Sequence, residues 1–302
     1  NRWIPIFNGP HINLENSFAE IEDGNESSSI SFNWAPKFGA HKDSMDKLME
    51  LPNNYFTNSY IYRKALIRKH FLSHTIQTYT AKNPESILKK ADYREFLDDA
   101  LDENWKWWIV KPSMSDKGQG IRVFKTIEDL QAIFDSIIQE YLTNPLLLAS
   151  MDNRKFHIRC YVVCRGDLFV PLDPYAYSVL KDLECHLTNT CLQSKKKDKD
   201  SSVLEFDSIE EIPNERKSIK EQIHSITNDV FLAAVNVNRL NFQPLPNAFE
   251  TYGVDFLIDS NYEVKLLEIN AFPDFKQTGK DLKNLIDELF DDTVKYCVTP
   301  IF

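Results

Sequence analysis

Glycine is scarce in this chain, with only eight among 302 residues. Each one therefore marks a point where backbone must bend or come close to something, not general looseness. Cysteine is scarce too: Cys160, Cys164, Cys185, Cys191 and Cys297 are an odd number without paired spacing. This excludes a disulfide framework and reads as reduced thiols of a cytosolic or nuclear setting. Cys185, His186 and Cys191 lack the C-x-x-C partner that a four-ligand zinc site needs, so zinc is not expected. The sequence has no apolar run of about 18 residues and no charged-then-apolar leader, so nothing is expected to span or target a membrane. It opens on Asn1, not Met, which suggests a domain excised from something longer. Positive charge is in deficit, 35 Lys and Arg against 45 Asp and Glu, giving a net charge of −10. Such a field repels nucleic acid, so direct duplex binding is not expected. The one basic cluster, Lys195, Lys196, Lys197 and Lys199, alternates with Asp198 and Asp200 and reads as a solvated loop.

What is present is ample core material: 42% hydrophobic and 12% aromatic residues. The length allows one large α/β unit or two to three lobes, and no internal repeat is found. Residues 1–60 mix a short apolar segment, WIPIF, with the polar stretch EDGNESSSI and a few residues around Phe32 and Trp34, which reads as a small irregular N-terminal lobe. From Ser59 the pattern becomes helical, with Ile61, Ala65, Leu66, Ile67 and Phe71 interleaved by Arg63, Lys64, Arg68 and Lys69.

Trp107 to Val110 is a bulky run that predicts a buried strand ending at Lys111 and Pro112. A polar loop, S-M-S-D-K-G-Q-G, leads to a second strand at Ile121 to Phe124. Gly118 and Gly120 sit at its tip, where backbone amides can cradle phosphate oxygens and Lys111 can neutralise them. A plain hairpin turn explains the same glycines. Thr126 can cap a helix with apolar positions Ile127, Leu130, Ile133, Phe134, Ile137 and Ile138. The pattern then turns extended at Gln139 to Leu142. Arg154 to Cys164 predicts a strand with Lys155, His157 and Arg159 on one face and Phe156, Ile158 and Cys160 on the other. Three such groups on one face call for an anionic ligand, or form a polar outer face. Ile219, Ile223, Ile226, Val230, Phe231 and Ala234 form the buried stripe of a helix within 212–235, and Leu282, Leu285, Ile286, Leu289 and Phe290 that of a terminal one.

The most informative stretch is YGVDFLIDSNYEVKLLEINAFP, from Tyr252 to Pro273. Alternating apolar residues on either side of Asp-Ser-Asn-Tyr predict a β-hairpin. With the turn centred between Ser260 and Asn261, Asp255 faces Leu266, and the pleat brings Glu268 and Asn270 to the same side as Asp255. Two neighbouring carboxylates repel and are costly to desolvate unless a cation lies between them. Mg²⁺ suits this set, because it takes hard oxygen ligands, one or two carboxylates, and usually a nucleotide's phosphates. A wetted edge strand is the alternative that the hairpin leaves open.

Taken in order, WIVKP with its glycine loop, QEYLTNPLLL, RKFHIR, CHLTN, YGVDFLID and LLEIN resemble the tubulin-tyrosine-ligase-like branch of the ATP-grasp superfamily, over about residues 59–273. Within that branch the chain most resembles the TTL-like domain of a fungal P-body-associated protein. The resemblance implies an α/β (α+β) ATP-grasp fold, with a nucleotide between two β-containing lobes and a small N-terminal lobe. The expected division is 1–60 for that lobe, 61–140 for a central subdomain and 141–302 for a C-terminal one. It implies ATP and Mg²⁺ as cofactors. Lys64 and Lys111 would meet phosphates, with the 115–120 loop, including Gly118 and Gly120, folding over them. Gln139, Tyr141 and Leu142 would hold adenine, and Asn189 lies in the HLTN element. Lys155 and Arg159 would be basic residues of the active cleft, and Asp255, Glu268 and Asn270 the metal ligands. The activity implied is ligation of an amino acid to a protein carboxylate through an acyl phosphate.

Three departures concern the acceptor side and the hinge. His157 stands where the family motif has Asp, the arginine expected some twenty residues downstream is missing from Asp173–Ser178, and Glu140 replaces a commonly basic hinge residue. An alternative is therefore a protein-interaction module that keeps the nucleotide fold, with weak or no ligase activity. The partner would be a tubulin tail on the first reading and the mRNA-decapping machinery on the second. The setting would be cytoplasmic, in P-bodies.

Overall fold

The computed structural model describes residues 18–21, 30–33, 55–57, 60, 62–90, 107–112, 119–125, 136–149, 153–165, 168–171, 175–178, 203–244, 248–271, 273, 275 and 283–295. Within the stretch expected to be an N-terminal lobe, β1 (Phe18–Ile21) and β2 (Ile30–Asn33) pair antiparallel, and β3 (Tyr55–Thr57) adds parallel to β2. A second sheet runs β5-β4-β6, all antiparallel, from β4 (Trp108–Pro112), β5 (Arg122–Phe124) and β6 (Ser136–Glu140).

The largest sheet is ordered β11-β10-β8-β12-β13. Its spine is β8 (Arg154–Arg165), with β12 (Phe249–Ile258) and β13 (Val264–Ala271) on one side and β10 (Tyr175–Ser178) and β11 (Val203–Glu205) on the other. Two further strands, β7 (Leu147–Leu148) and β9 (Leu168–Pro171), pair with the two ends of β8. Helices α1 (Lys64–Ile67), α2 (Lys69–Lys82), α3 (Arg216–Val237) and α4 (Lys283–Thr293) complete the described elements. Antiparallel sheets with helices packed on them make this a mixed α/β chain, as the sequence pattern implies.

The apolar stripe foreseen for α3 is the heart of the core. Ile219, Ile223, Val230, Phe231 and Ala234 are fully buried, at the i, i+4, i+7 spacing that keeps one helix face on a sheet. They meet Phe156, Ile158 and Cys160 of β8, and Tyr252, Val254 and Phe256 of β12, in one continuous cluster. Phe231 and Tyr252 stand edge to face at 5.5 Å. In α4 only Leu289 and Thr293 are buried, while Leu285, Ile286 and Phe290 are half-buried; Phe290 packs edge-on against Phe275.

Two elements differ from the sequence expectation. The helical pattern after Ser59 is not one helix but two, broken at Arg68, whose backbone is extended (φ −102°, ψ 119°). Backbone bonds from Ala65 N–H to the Asn241 carbonyl (3.0 Å) and from Gln243 N–H to the Tyr62 carbonyl (3.0 Å) tie α1 to the segment after α3. The chain therefore turns at Arg68 before α2 can lie on α3. Ile137 and Ile138, assigned by spacing to a helix, lie in β6. Consecutive β-branched residues bury on opposite sheet faces as readily as on adjacent turns of a helix, so spacing could not separate the two. Ile138 packs with Trp108, Val110 and Phe124, while Ile137 joins the main core.

One buried charge pair lies inside this core. Arg63, just ahead of α1, is 3% exposed and Glu250 of β12 is 1% exposed. The Glu250 carboxylate accepts from the Arg63 guanidinium, from Tyr60 N–H at 3.0 Å and from Tyr252 O–H at 2.9 Å. Burial nevertheless pushes its pKa up to about 7, with Arg63 pulling the other way.

Candidate functional site

The site begins with the pleat of three adjacent strands. On β8, β12 and β13 one face is core, and the other carries Lys155, His157 and Arg159, then Gly253 and Asp255, then Glu268 and Asn270. The expected register is wrong in detail. Asp255 lies opposite Glu268, not Leu266, and Leu266 faces Phe256 on the core side.

Two local irregularities produce this. The turn is a three-residue loop: Asp259 N–H bonds to the Glu263 carbonyl (3.0 Å), the Asp259 carboxylate accepts from Asn261 N–H and Glu263 N–H, and Tyr262 takes a left-handed φ of 63°. That shifts the pairing by one residue from a two-residue turn. A β-bulge opposite Asp255/Phe256 then adds Leu267 as an extra residue and shifts it again. Leu266 and Ile269, 1% and 3% exposed, both need the core. At a spacing of three, only an inserted residue lets both reach it.

Asp255, 3% exposed, is held closely. Arg159, directly opposite on β8, grips both its oxygens: Nε donates to Oδ1, and Nη2 donates to Oδ2 at 2.8 Å. Asn270 Nδ2 donates to Asp255 Oδ2 (3.2 Å) and to Glu268 Oε1 (3.1 Å), joining the two carboxylates. His157 Nε2 lies 3.8 Å from Asp255 Oδ1. Gly253 makes room for this: a Cβ there would stand 3.1 Å from Arg159 Cδ and 3.2 Å from its Nη1. Sequence reading did not single out Gly253. The available signal was a rare glycine two residues before Asp255, hence on the same face of the strand.

The second sheet supplies groups from the other side. Lys111 of β4 and Gln139 of β6 are buried, and Lys111 Nζ donates to Gln139 Oε1 at 2.7 Å. Burial lowers the Lys111 pKa to about 8; Glu268 opposes that shift and Lys69 adds to it. Lys111 is therefore within electrostatic reach of Glu268 on the large sheet and of Lys69 on α2, a lysine the sequence pattern placed on a helix but not in the site. The chain crosses from one sheet to the other just after β6. Tyr141 N–H bonds to the Trp107 carbonyl (2.8 Å), then Leu146 N–H to the Ile258 carbonyl (2.8 Å). At the crossing Lys155 Nζ sits 4.3 Å from the centre of the Tyr141 ring and 3.3 Å from its hydroxyl, a cation–π contact between the sheets.

The remaining expected residues divide. Leu142 is half-buried at the crossing, and Lys64 is exposed on α1, which packs on β13. Gly118 and Asn189 lie outside the described residues. Tyr175 and Tyr177, in the stretch without the expected arginine, pair with Arg159 and His157. Gly120 has a φ of 72°, and a Cβ there would meet Pro112 Cγ at 2.9 Å. Gly120→Ala is thus expected to cost about 1–2 kcal/mol through left-handed strain and the clash; a thermal melt that does not move would count against this.

In chemical terms, two carboxylates and a carboxamide share one face of the large sheet, with buried Lys111 of the second sheet within electrostatic reach of Glu268. Among the described residues no three His, Cys, Asp or Glu side chains gather to hold a metal unaided. Asp255, Glu268 and Asn270, once the amide turns its oxygen inward, are the short oxygen set that Mg²⁺ accepts when phosphate and water complete its shell. Among the described residues no helix is long and apolar enough to cross a membrane.

Comparison with known proteins adds the following. A family model described as "Tubulin-tyrosine ligase family" matches residues 41–302. A Saccharomyces cerevisiae protein named "Probable tubulin--tyrosine ligase PBY1" is 61% identical over 100% of this chain, which spans 66% of that relative's length. A Schizosaccharomyces pombe protein, "Probable tubulin--tyrosine ligase C12B10.04", is 38% identical over 96% of this chain and 88% of its own. Among solved structures, the C-terminal domain of K. lactis Pby1, described as an ATP-grasp enzyme interacting with the mRNA decapping enzyme Dcp2, superposes with a TM-score of 0.68. It is 51% identical, covering 90% of this chain and 82% of that one.

Proposed function

This chain belongs to the tubulin-tyrosine ligase family and has the ATP-grasp fold, and from that membership we propose that it is an ATP-dependent carboxylate–amine ligase. An acceptor carboxylate takes the terminal phosphoryl group of ATP, ADP leaves, and the amine of an incoming amino acid displaces phosphate to form an amide. The observation that carries this reading is the grouping of Asp255, Glu268 and Asn270 on one face of the large sheet, joined by the hydrogen bonds of Asn270. Buried Lys111, bonded to Gln139, lies close enough to this group for Glu268 to act on its charge.

Each side chain then has a physical task. Gln139, Tyr141 and Leu142, at the crossing, hold the base. Lys111 and Lys64, with the loop through Gly118 and Gly120, neutralise phosphate, and Asn189 belongs to the same nucleotide side. Asp255, Glu268 and Asn270 would hold Mg²⁺, which would supply charge stabilisation to the phosphate as negative charge develops there. Lys155 and Arg159 stabilise negative charge where the acceptor carboxylate meets the phosphoryl group. In this reading residues 61–140 and 141–302 are the two lobes that close on the nucleotide, and residues 1–60 a separate N-terminal lobe. Calorimetry with a non-hydrolysable ATP analogue tests this. Binding should require Mg²⁺ and be lost in Asp255→Ala, while metal-independent binding in both would overturn it. Incorporation of radiolabelled tyrosine, glutamate or glycine into an acceptor protein tests the ligation itself.

The lowered Lys111 pKa gives a pH signature. Polyanion beside Lys111 favours its charged form and raises its pKa again. Near pH 8 the free chain holds this proton about half the time and the complex nearly always, so binding takes up roughly half a proton there and almost none near pH 6.5. Binding enthalpies measured at pH 8 in two buffers of different ionisation enthalpy should therefore differ, and the difference should vanish in Lys111→Met.

A second reading is favoured by the description of the K. lactis structure and by the altered acceptor side at His157 and Tyr175–Ser178. Here the same fold serves as a docking module for an mRNA-decapping partner, in the cytoplasm and P-bodies, with weak or no ligation. Pull-down with the decapping enzyme separates the two: retention by Glu268→Gln supports docking independent of catalysis. A tubulin tail is the less favoured acceptor, since a chain of net charge −10 repels an acidic peptide unless a local basic groove prevails.

A further inference from the structure

We propose that Arg159 is an exchangeable internal counter-cation. In the nucleotide-free chain its guanidinium occupies the Asp255 carboxylate, and a divalent metal gains that carboxylate only by displacing it. This rests on the reading of Asp255, Glu268 and Asn270 as metal ligands.

The geometry is that of a saturated site. Nε and Nη2 of Arg159 engage Oδ1 and Oδ2 of Asp255, the two-pronged arrangement that gives charge-assisted bonds both strength and direction. The side chains are 14% and 4% exposed, so water competes little for the pair. Asn270 Nδ2 covers Asp255 Oδ2 and Glu268 Oε1. Donors thus already face the oxygens that a metal between these two carboxylates would need. A guanidinium lying flat on both oxygens, with Asn270 Nδ2 on one of them, takes up most of the carboxylate's lone-pair sites that a second cation would use. Like charges also repel across so short a distance in a partly buried place.

Gly253 shows that the berth is built. It lies two residues before Asp255 on the same face, and a Cβ there would press on Arg159 at Cδ (3.1 Å), Nη1 (3.2 Å) and Nε (3.3 Å). A Cβ at 253 would oblige the Arg159 side chain to give way by a few tenths of an ångström. The arrangement makes metal and nucleotide binding mutually dependent. Metal alone must strip Asp255 of Arg159 without compensation, whereas a nucleotide's phosphates give the displaced guanidinium a new anion. That is a coupling free energy between two ligands, with reciprocal effect on both.

Mn²⁺, a paramagnetic stand-in for Mg²⁺, reads this directly by titration of the free-ion signal in electron paramagnetic resonance. For Mn²⁺ alone, Arg159→Met is expected to bind roughly ten- to hundredfold more tightly than wild type, the range set by the charge-assisted pair it removes. Gly253→Ala should move the same way by a smaller factor, since it keeps the guanidinium but spoils its seat. The non-hydrolysable analogue AMP-PNP should tighten Mn²⁺ binding in wild type by a larger factor than in Arg159→Met. Equal Mn²⁺ affinities in wild type and both variants, with AMP-PNP tightening all alike, would overturn the exchange and leave the metal reading standing. Failure of every version to bind Mn²⁺ even with AMP-PNP would remove the metal reading and the exchange together. Should Arg159→Met not fold, Gly253→Ala decides between these outcomes.

Discussion

Arg63→Met is expected to lower stability by about 3–5 kcal/mol, because it leaves Glu250 buried without its cation. For a chain of this size that is a fall in melting temperature on the order of 10 °C. The magnitude follows from burial, since both residues are almost wholly enclosed. The same group sets a pH dependence. The Glu250 pKa is raised from 4.5 to about 7 in the folded chain. Between those values the folded state holds more protons than the unfolded one. Its contribution is thus fully present below pH 4.5 and is lost as pH climbs through 7. Removing Arg63 takes away a lowering influence, so the window extends further upward in the variant. The double variant Arg63→Met with Glu250→Gln should recover at least half of the loss. An amide still accepts from Tyr60 N–H and Tyr252 O–H, and no charge is left buried. A double variant as unstable as Arg63→Met would show that packing, not charge, is what matters there.

The second large effect concerns chemistry. Glu268→Gln should reduce turnover of ATP by about 10²- to 10³-fold, the several kcal/mol that a correctly held metal contributes to a transition state gathering negative charge. Folding should change little, because Gln can keep the bond from Asn270 Nδ2, and Glu268 is only half-buried. Melting temperature and turnover are therefore expected to separate in this variant. Wild-type turnover in Glu268→Gln would exclude it from the metal site. The substitution also removes an influence that raises the Lys111 pKa, so proton uptake on binding should shift to lower pH.

Much of this was legible in the chain before its fold was known, and the exceptions have physical causes. Strong periodicity served well: the α3 stripe and the two faces of β8 lie as the pattern of residues said, because burial on one side of a regular element leaves a regular trace. Where periodicity was ambiguous, as at Ile137 and Ile138, helix and strand gave the same apolar spacing and the pairing of β6 with β4 decided. The grouping of Asp255 with Glu268 and Asn270 was reached through a register that does not exist, since neither the three-residue loop nor the bulge was foreseen. Their displacements compound to bring Glu268 directly beside Asp255. The signal was there in Leu266 and Leu267, two adjacent apolar residues interrupting a strict alternation. What could not be read at all was the partner of Asp255. Lone residues tell which groups are cationic, but not that an arginine 96 positions earlier lies directly across the strand.

A β-strand behaves like a message read two letters at a time, and one inserted letter changes the frame of all that follows. Flattening the bulge with Leu267 kept in alternation would turn Glu268 and Asn270 toward the apolar interior and Ile269 toward the lysines, whereas excising Leu267 would leave all three facing as they do now. The bulge at this one position therefore fixes which side of the sheet Glu268 and Asn270 are on.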